Sequence, residues 1–213
     1  MTKKRSPQRR AATLGDKGNK SKCHTTNGSP GHTQAAALTA AARAYHDNHH
    51  WVPLRLQGKS PECMGEGWRK RKLQEPLPQF KDGDNIGFLL GAPSGGIVRL
   101  DPDWSAIPDV TDILFPEPTA IFERASALRY GRVFICPGFK GKNFKLPKFM
   151  QDDERLPLLP NGKGKVMVYQ ILSSGQTMAP PSIHPDAGEE LVWVDNCQPV
   201  ELSANELIRR GRH

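Results

Sequence analysis

The 213-residue sequence predicts a mixed α+β fold with largely antiparallel strand content. Three observations carry that expectation. An Ala-rich segment of helical spacing opens the patterned part of the chain, and a run of short apolar segments follows. A capped helical segment then closes it. Gly and Pro number 20 and 19, which punctuates the chain more than a helical bundle tolerates. That content stays short of the low-complexity range, so a folded body is expected.

Each element follows in order. Residues 35–48 are Ala-rich and good helix formers, with Leu38, Ala41 and Tyr45 at helical spacing. WVPLRL (51–56) reads as a strand. Residues 57–83 form a long polar connection that carries the basic run RKRK (69–72), and long connections usually cover a site. In the segment 85–104, IGFLL reads as a buried strand, GAPSGG as a turn and IVRLD as a second strand, together predicting a hairpin. Residues 108–115 suggest a short helix, and TAIFER (119–124) and RVFIC (132–136) two strands around a short loop. Residues 137–165 are rich in Lys, Gly and Pro and poorly patterned. KVMVYQIL (165–172), QTMAP (176–180) and LVWV (191–194) read as three more strands. The closing segment SANELIRRG has Ser203 as N-cap and Glu206 at the third helical position.

The formal net charge of +8 is unevenly placed. Residues 1–34 hold eight Lys or Arg and a single acid, Asp16; residues 35–213 hold 22 basic and 21 acidic side chains. The first segment has no aromatic residue and, after Met1, one large aliphatic, Leu14. It cannot bury enough surface to offset the entropy of ordering, so residues 1–34 read as a disordered basic arm ahead of a folded domain over 35–213. Such an arm suits non-specific contact with nucleic-acid phosphates, or is simply a solvated tail. No segment approaches the roughly 18 apolar residues of a membrane span. MTKKRSPQRR lacks the apolar run of a secretory signal. Cys23, Cys63, Cys136 and Cys197 lie far apart without a C-x-x-C pair. They predict neither a zinc knuckle nor a disulfide framework, and scattered thiols suit a reducing cytoplasm.

Two places can carry chemistry. Asp101 and Asp103 lie at i and i+2 at the end of a strand, so their carboxylates project to one face. Like charges that close repel unless a cation sits between them. Hard divalent ions take one or two carboxylates together with substrate phosphates, and paired ions clamp the oxygens of phosphoryl transfer. The other reading of D-x-D is a polar turn at a strand end. Pro102 has no N–H and belongs where a ladder opens. The second place is APPSIHPDAGEELVWV (179–194), a rigid loop in which Ser182 and His184 follow two prolines.

Taken in order, these segments resemble the bifunctional DNA primase/polymerase N-terminal (Prim-Pol) domain of the archaeo-eukaryotic primase superfamily. The resemblance runs from about Ala36 to Arg210. Pro53-Leu54, Lys59-Ser60-Pro61 and Gly67-Trp68 resemble its opening pattern. Asn85-Ile86-Gly87, Gly91, Ser94-Gly95 and Asp101-Pro102-Asp103-Trp104 resemble its central one. Pro118-Thr119 and Arg124-Ala125-Ser126 resemble the next, and Pro180 to Gly188 with Trp193 the last.

The resemblance implies an archaeo-eukaryotic primase-like fold: an RNA-recognition-like (RRM-like) mixed sheet with a second small α+β subdomain. It implies template-directed nucleotidyl transfer in DNA replication, with Mg²⁺ or Mn²⁺ as cofactor and with DNA template and nucleoside triphosphates as partners. A larger replicase would need a helicase in trans. Asp101 and Asp103 take the place of the family's metal-binding acids. Two positions depart from the pattern. Gly131 stands where a histidine is expected, which leaves Arg132 or Arg129 to contact phosphate; Gln170 stands where the third acid is expected. Arg132, Ser182 and His184 are thus expected to line the nucleotide site, with Asp101, Asp103 and Gln170 as the catalytic set. The alternative is a catalytically degenerate nucleic-acid-binding module of the same fold.

Overall fold

The computed structural model describes residues 33–102, 115, 119–145, 167–195 and 198–210. The expected arm at 1–34 lies outside the described residues except for Thr33 and Gln34, and so do Asp103 and the helix expected at 108–115, apart from Phe115. The described residues form a mixed α+β structure with mostly antiparallel sheets and few helices. None of its described helices is long and apolar enough to cross a membrane.

Helix α1 (Gln34–His49) starts where the Thr33 hydroxyl accepts from the Ala36 N–H at 3.3 Å. It stops at His50, whose left-handed backbone (φ 56°) closes the last turn. Leu38, Ala42 and Tyr45, at i, i+4 and i+7, are its buried stripe.

Strands β1 (Pro53–Leu56), β2 (Asn85–Leu89) and β8 (Gln176–Met178) form a three-stranded antiparallel sheet with β2 in the middle. Gly87 is what lets β8 approach β2, since a Cβ there would lie 2.3 Å from the Thr177 carbonyl oxygen.

The larger sheet contains β3 (Ile97–Pro102), β4 (Ala120–Arg124), β5 (Ala127–Ile135), β6 (Lys142–Lys145), β7 (Met167–Leu172), β9 (Ile183–His184), β10 (Glu189–Asp195) and β11 (Val200–Glu201). Its order is β6-β7-β3-β5-β4-β10-β9, with β11 pairing parallel to the end of β5. Helix α2 (Ala204–Arg210) starts where the Ser203 hydroxyl accepts from the Glu206 N–H at 3.2 Å, as its capping pattern predicts.

The hairpin expected over 85–101 is not formed. β2 belongs to the small sheet and β3 to the large one, joined only by an isolated bridge between Gly91 and Ile97. The reason lies in GAPSGG: a 3₁₀ turn over Ala92–Ser94 is flanked by Gly91, Gly95 and Gly96, all at positive φ. The chain therefore steps from one sheet to the other instead of folding back. A hairpin does form at β4–β5, where Arg124 pairs with Ala127 across the two-residue turn Ala125-Ser126, and another at β9–β10. Strand β6 falls in the poorly patterned stretch.

The large sheet has two differently covered faces. Ile97, Ala120, Phe122, Val133 and Leu191 join Leu38, Tyr45, Trp51, Leu54, Ile86 and Phe88 in one core that spans both sheets and α1. Val98, Leu100, Phe134 and Ile171 join Phe115, Leu202 and Leu207 of α2 in a second core. Full burial of each such side chain contributes about 1.5–3 kcal/mol. At the centre of the first core the Tyr45 phenol donates to the Pro180 carbonyl and accepts from Trp193 Nε1 at 3.1 Å. Its burial holds the phenol pKa far above the usual value.

Candidate functional site

Along β3, Ile97, Arg99 and Asp101 face the first core side, while Val98 and Leu100 face the second. Where the apolar residues of the first side end, a cavity of about 300 Å³ opens. Lys59, Arg99, Asp101, Phe122, Arg124, Gly131, Thr177 and His184 are among its lining residues. Five separate segments thus deliver charged or polar side chains to one place: the 57–60 turn, β3, the β4 end, β8 and β9.

The loop that carries His184 is held by the motif residues of β2. The Ser182 hydroxyl accepts from the Ile86 N–H at 2.9 Å and donates to the Ile86 carbonyl at 2.8 Å. The Asn85 side chain accepts from the Ile183 N–H at 2.8 Å and donates to the Ile183 carbonyl at 2.7 Å. Asn85 and Ser182 thereby replace ladder bonds that no strand supplies, and His184 is set at the cavity. Asn85 Nδ2 also reaches the Gly58 carbonyl at 3.0 Å, and Gln176 Nε2 the Lys59 carbonyl at 2.8 Å, which fixes the turn presenting Lys59.

Arg99 lies between the sheets. Its Nη1 donates to Thr177 Oγ1 at 2.8 Å and its Nη2 to Asp101 Oδ1 at 2.7 Å, while its guanidinium lies 5.2 Å from the Phe122 ring centre. Arg124 Nη1 donates to His184 Nδ1 at 3.3 Å, which makes Nδ1 an acceptor and the imidazole neutral. Desolvation, with Lys59 and Arg124 nearby, lowers the His184 pKa in agreement with that geometry. Lys59 Nζ sits 2.6 Å from the exposed Asp186 carboxylate, which holds the Asp186 pKa down. The Ala125-Ser126 turn is tied to β10 by the Glu189 carboxylate, which accepts from the Ser126 N–H at 3.1 Å.

The expected site residues divide by position. Asp101 and His184 meet at the cavity. Gln170 lies directly opposite Asp101 in the antiparallel β3–β7 pair, so the two side chains share a face. Ser182 is fully buried against Ile86 and does not line the cavity. Arg132 is placed on the other face: it is 5% exposed, and its Nη1 donates to the Phe115 carbonyl at 3.1 Å. Strand alternation explains this. Gly131 faces the cavity, so the next residue faces the second core. The position of Gly131 itself is filled by Phe122, whose ring atoms would lie 2.5–2.9 Å from any Cβ. Lys59, Arg99 and Arg124 line the same cavity. Lys59 and Arg124 do fall inside the quoted K-x-P and R-x-S patterns, and Arg99 precedes Asp101 at the i, i−2 spacing that places them on one face.

As to metal, no group of three His, Cys, Asp or Glu side chains gathers among the described residues. Asp101 and the Gln170 amide are hard oxygen donors opposite one another, a set that suits a single hard cation sharing its shell with substrate phosphates. No protein-family model matches the chain, and no curated protein matches it either.

Proposed function

We propose that the chain is a primase/polymerase-like domain of the archaeo-eukaryotic type. In this reading it binds a nucleoside triphosphate in the 300 Å³ cavity and transfers the nucleotide to a strand held on a DNA template during replication. The observation that carries the proposal is the meeting of Asp101 with Lys59, Arg99, Arg124 and His184 at one cavity. Arg124 and Lys59 supply positive charge for the phosphates; among the described residues Arg124 has no carboxylate within ion-pair distance. Neutral His184 donates from Nε2 to a phosphate oxygen. Asp101 and Gln170 would hold one Mg²⁺ or Mn²⁺, which when bound neutralises charge on the triphosphate. Arg99 holds Asp101 in place in the meantime, and Thr177 fixes Arg99. In this reading the protein works in the cytoplasm beside a helicase supplied in trans.

The test is to incubate the full chain with single-stranded template, Mn²⁺ and labelled nucleotides. Template-dependent extension that Asp101→Ala lowers by about 10²–10³ is the expected outcome. Extension that Asp101→Ala leaves untouched would sink the reading.

One observation favours a second reading, a non-catalytic module of the same fold. Asp101 is already neutralised by Arg99 at 2.7 Å, and the two positions across from it and beside it carry Gln170 and Gly131. That module binds triphosphate and nucleic acid but yields no extension with any divalent ion.

A further inference from the structure

A second charged feature lies at the turn before β3, where Gly95 precedes Asp101 by six residues in the chain. Here a groove of about 570 Å³ is lined by Arg69, Lys70, Arg71, Lys72 and His50, over Pro93 and Gly95. None of its lining residues is a carboxylate. Arg69, Lys70, Lys72 and His50 are exposed. In a body over 35–213 with 22 basic and 21 acidic side chains, four consecutive cations in one groove are a local excess.

The run is mounted on a tethered segment. Trp68, 5% exposed, anchors it in the first core. His46 Nε2 lies 2.8 Å from the Leu73 carbonyl, which ties the far end to α1. Arg71 braces the turn, donating to the Pro76 carbonyl at 2.5 Å with Glu75 at 3.4 Å. Arg69, Lys70 and Lys72 remain directed to the groove without a carboxylate in ion-pair distance among the described residues. The Arg69 guanidinium carbon lies 4.3 Å from the Trp68 ring centre. Stacking on the buried indole holds the guanidinium plane and leaves its outer face to solvent. A flat cation of that kind stacks on a nucleobase.

We propose that this groove binds a single-stranded nucleic acid, with Lys70 and Lys72 on consecutive phosphates and a base stacked on Arg69. The four cations are consecutive in the chain and line one groove without a carboxylate, which suits a polyanion rather than one phosphate. The planar Arg69 favours a strand with bases over an anionic lipid surface. The inference rests on the groove alone and stands whether or not the cavity binds a triphosphate.

The experiment uses the full chain, so that residues 1–34 contribute equally to every variant. Binding of fluorescein-labelled oligothymidylate is followed by anisotropy across a potassium chloride series. Lys70→Gln with Lys72→Gln is expected to reduce the slope of log K against log salt by about 1.4, or ~0.7 per charge on a single strand. Arg69→Lys keeps the charge and loses the plane, so it is expected to weaken binding by about tenfold at unchanged slope. An unchanged slope in the double variant overturns the proposal. Wild-type affinity in Arg69→Lys overturns it too, as does loss of binding to phosphatidylserine vesicles with oligothymidylate binding kept. Labelled triphosphate binding, which depends on Arg124 and not on Lys70 or Lys72, separates failure of the groove from failure of the cavity.

Discussion

Arg124 and Arg132 are eight residues apart on paired strands, yet they lie on opposite faces of the same sheet and in opposite environments. Arg124 opens onto a cavity beside a neutral imidazole; Arg132 is buried beside the Phe115 carbonyl, and burial lowers its pKa. The contrast teaches that residue type sets what a side chain can do, while strand parity sets whether it can reach a ligand. On the first face the small sheet leaves a gap where its apolar contacts end. On the second, Phe115, Phe134 and Leu207 of α2 pack into a core.

The largest expected effects come from breaking either core. Phe88→Ala and Phe134→Ala should each cost about 3–5 kcal/mol in denaturant unfolding. Phe134→Ala should leave triphosphate affinity unchanged below its unfolding transition, whereas Phe88→Ala should weaken it. Equal losses of affinity in both would show that the two faces are not independent. Next, Arg124→Gln should lower triphosphate affinity by about 10–100-fold with little change in stability, reflecting a hydrogen bond to a charged group of about 1.5–3 kcal/mol. Arg132→Gln should do the reverse, losing stability and keeping affinity; titration calorimetry on both variants reads the comparison directly.

Ser182→Ala strands the buried Ile86 N–H and should cost about 1–3 kcal/mol in unfolding free energy. Gln170→Glu places a second carboxylate opposite Asp101 and should destabilise the protein by about 0.2–1 kcal/mol. Mn²⁺ should reverse that loss in a melting assay and should raise any extension product. A loss that Mn²⁺ does not reverse would mean that the pair does not share a cation.

The smallest effect concerns pH. The folded His184 pKa lies below its usual value of 6.5, so above that value neither state carries the proton. As pH falls below 6.5 the unfolded chain binds it first, and this contribution to stability is lost towards the folded pKa. Lys59, Arg124, Asp186 and Glu189 surround the ring, and the two acids titrate in a lower window because their pKa values are themselves depressed. His184→Asn should therefore flatten the melting temperature between neutral pH and the pH range of the carboxylates.

Much of this was legible in the sequence. The opening and closing helices follow from Ala-rich composition and from Ser203 with Glu206, both local signals. Strands over 85–89, 97–102 and 167–172 follow from apolar runs. The partner of each strand does not: IGFLL and IVRLD carry no mark that assigns them to different sheets, and only the positive-φ glycines hint that the turn between them is no hairpin turn. Of the residues that line the cavity, Asp101 and His184 stand in ordered sequence patterns, and Gln170 stands opposite Asp101. Ser182 is buried on Ile86 instead of lining the cavity, and a buried hydroxyl and a binding hydroxyl look alike in sequence. Arg132 lies on the other face because β5 alternates, with Val133 in the first core and Phe134 in the second, and the sequence does not say which parity faces the cavity. Lys59, Arg99 and Arg124 were passed over because a lone cation carries no signal until tertiary structure gathers it.

The small sheet has a consequence for how the chain is made. Its central strand pairs with a strand near the end of the chain, and the clamp of Ser182 on Ile86 spans 96 residues. During synthesis at about 5–20 residues per second, one edge of β2 waits several seconds before its partner emerges. Until then an apolar strand of sequence Asn85–Leu89 presents open backbone groups, the kind of edge that recruits other chains. A chain truncated before Gln176 would carry that edge permanently, so yield and solubility should fall abruptly at that boundary rather than gradually with length.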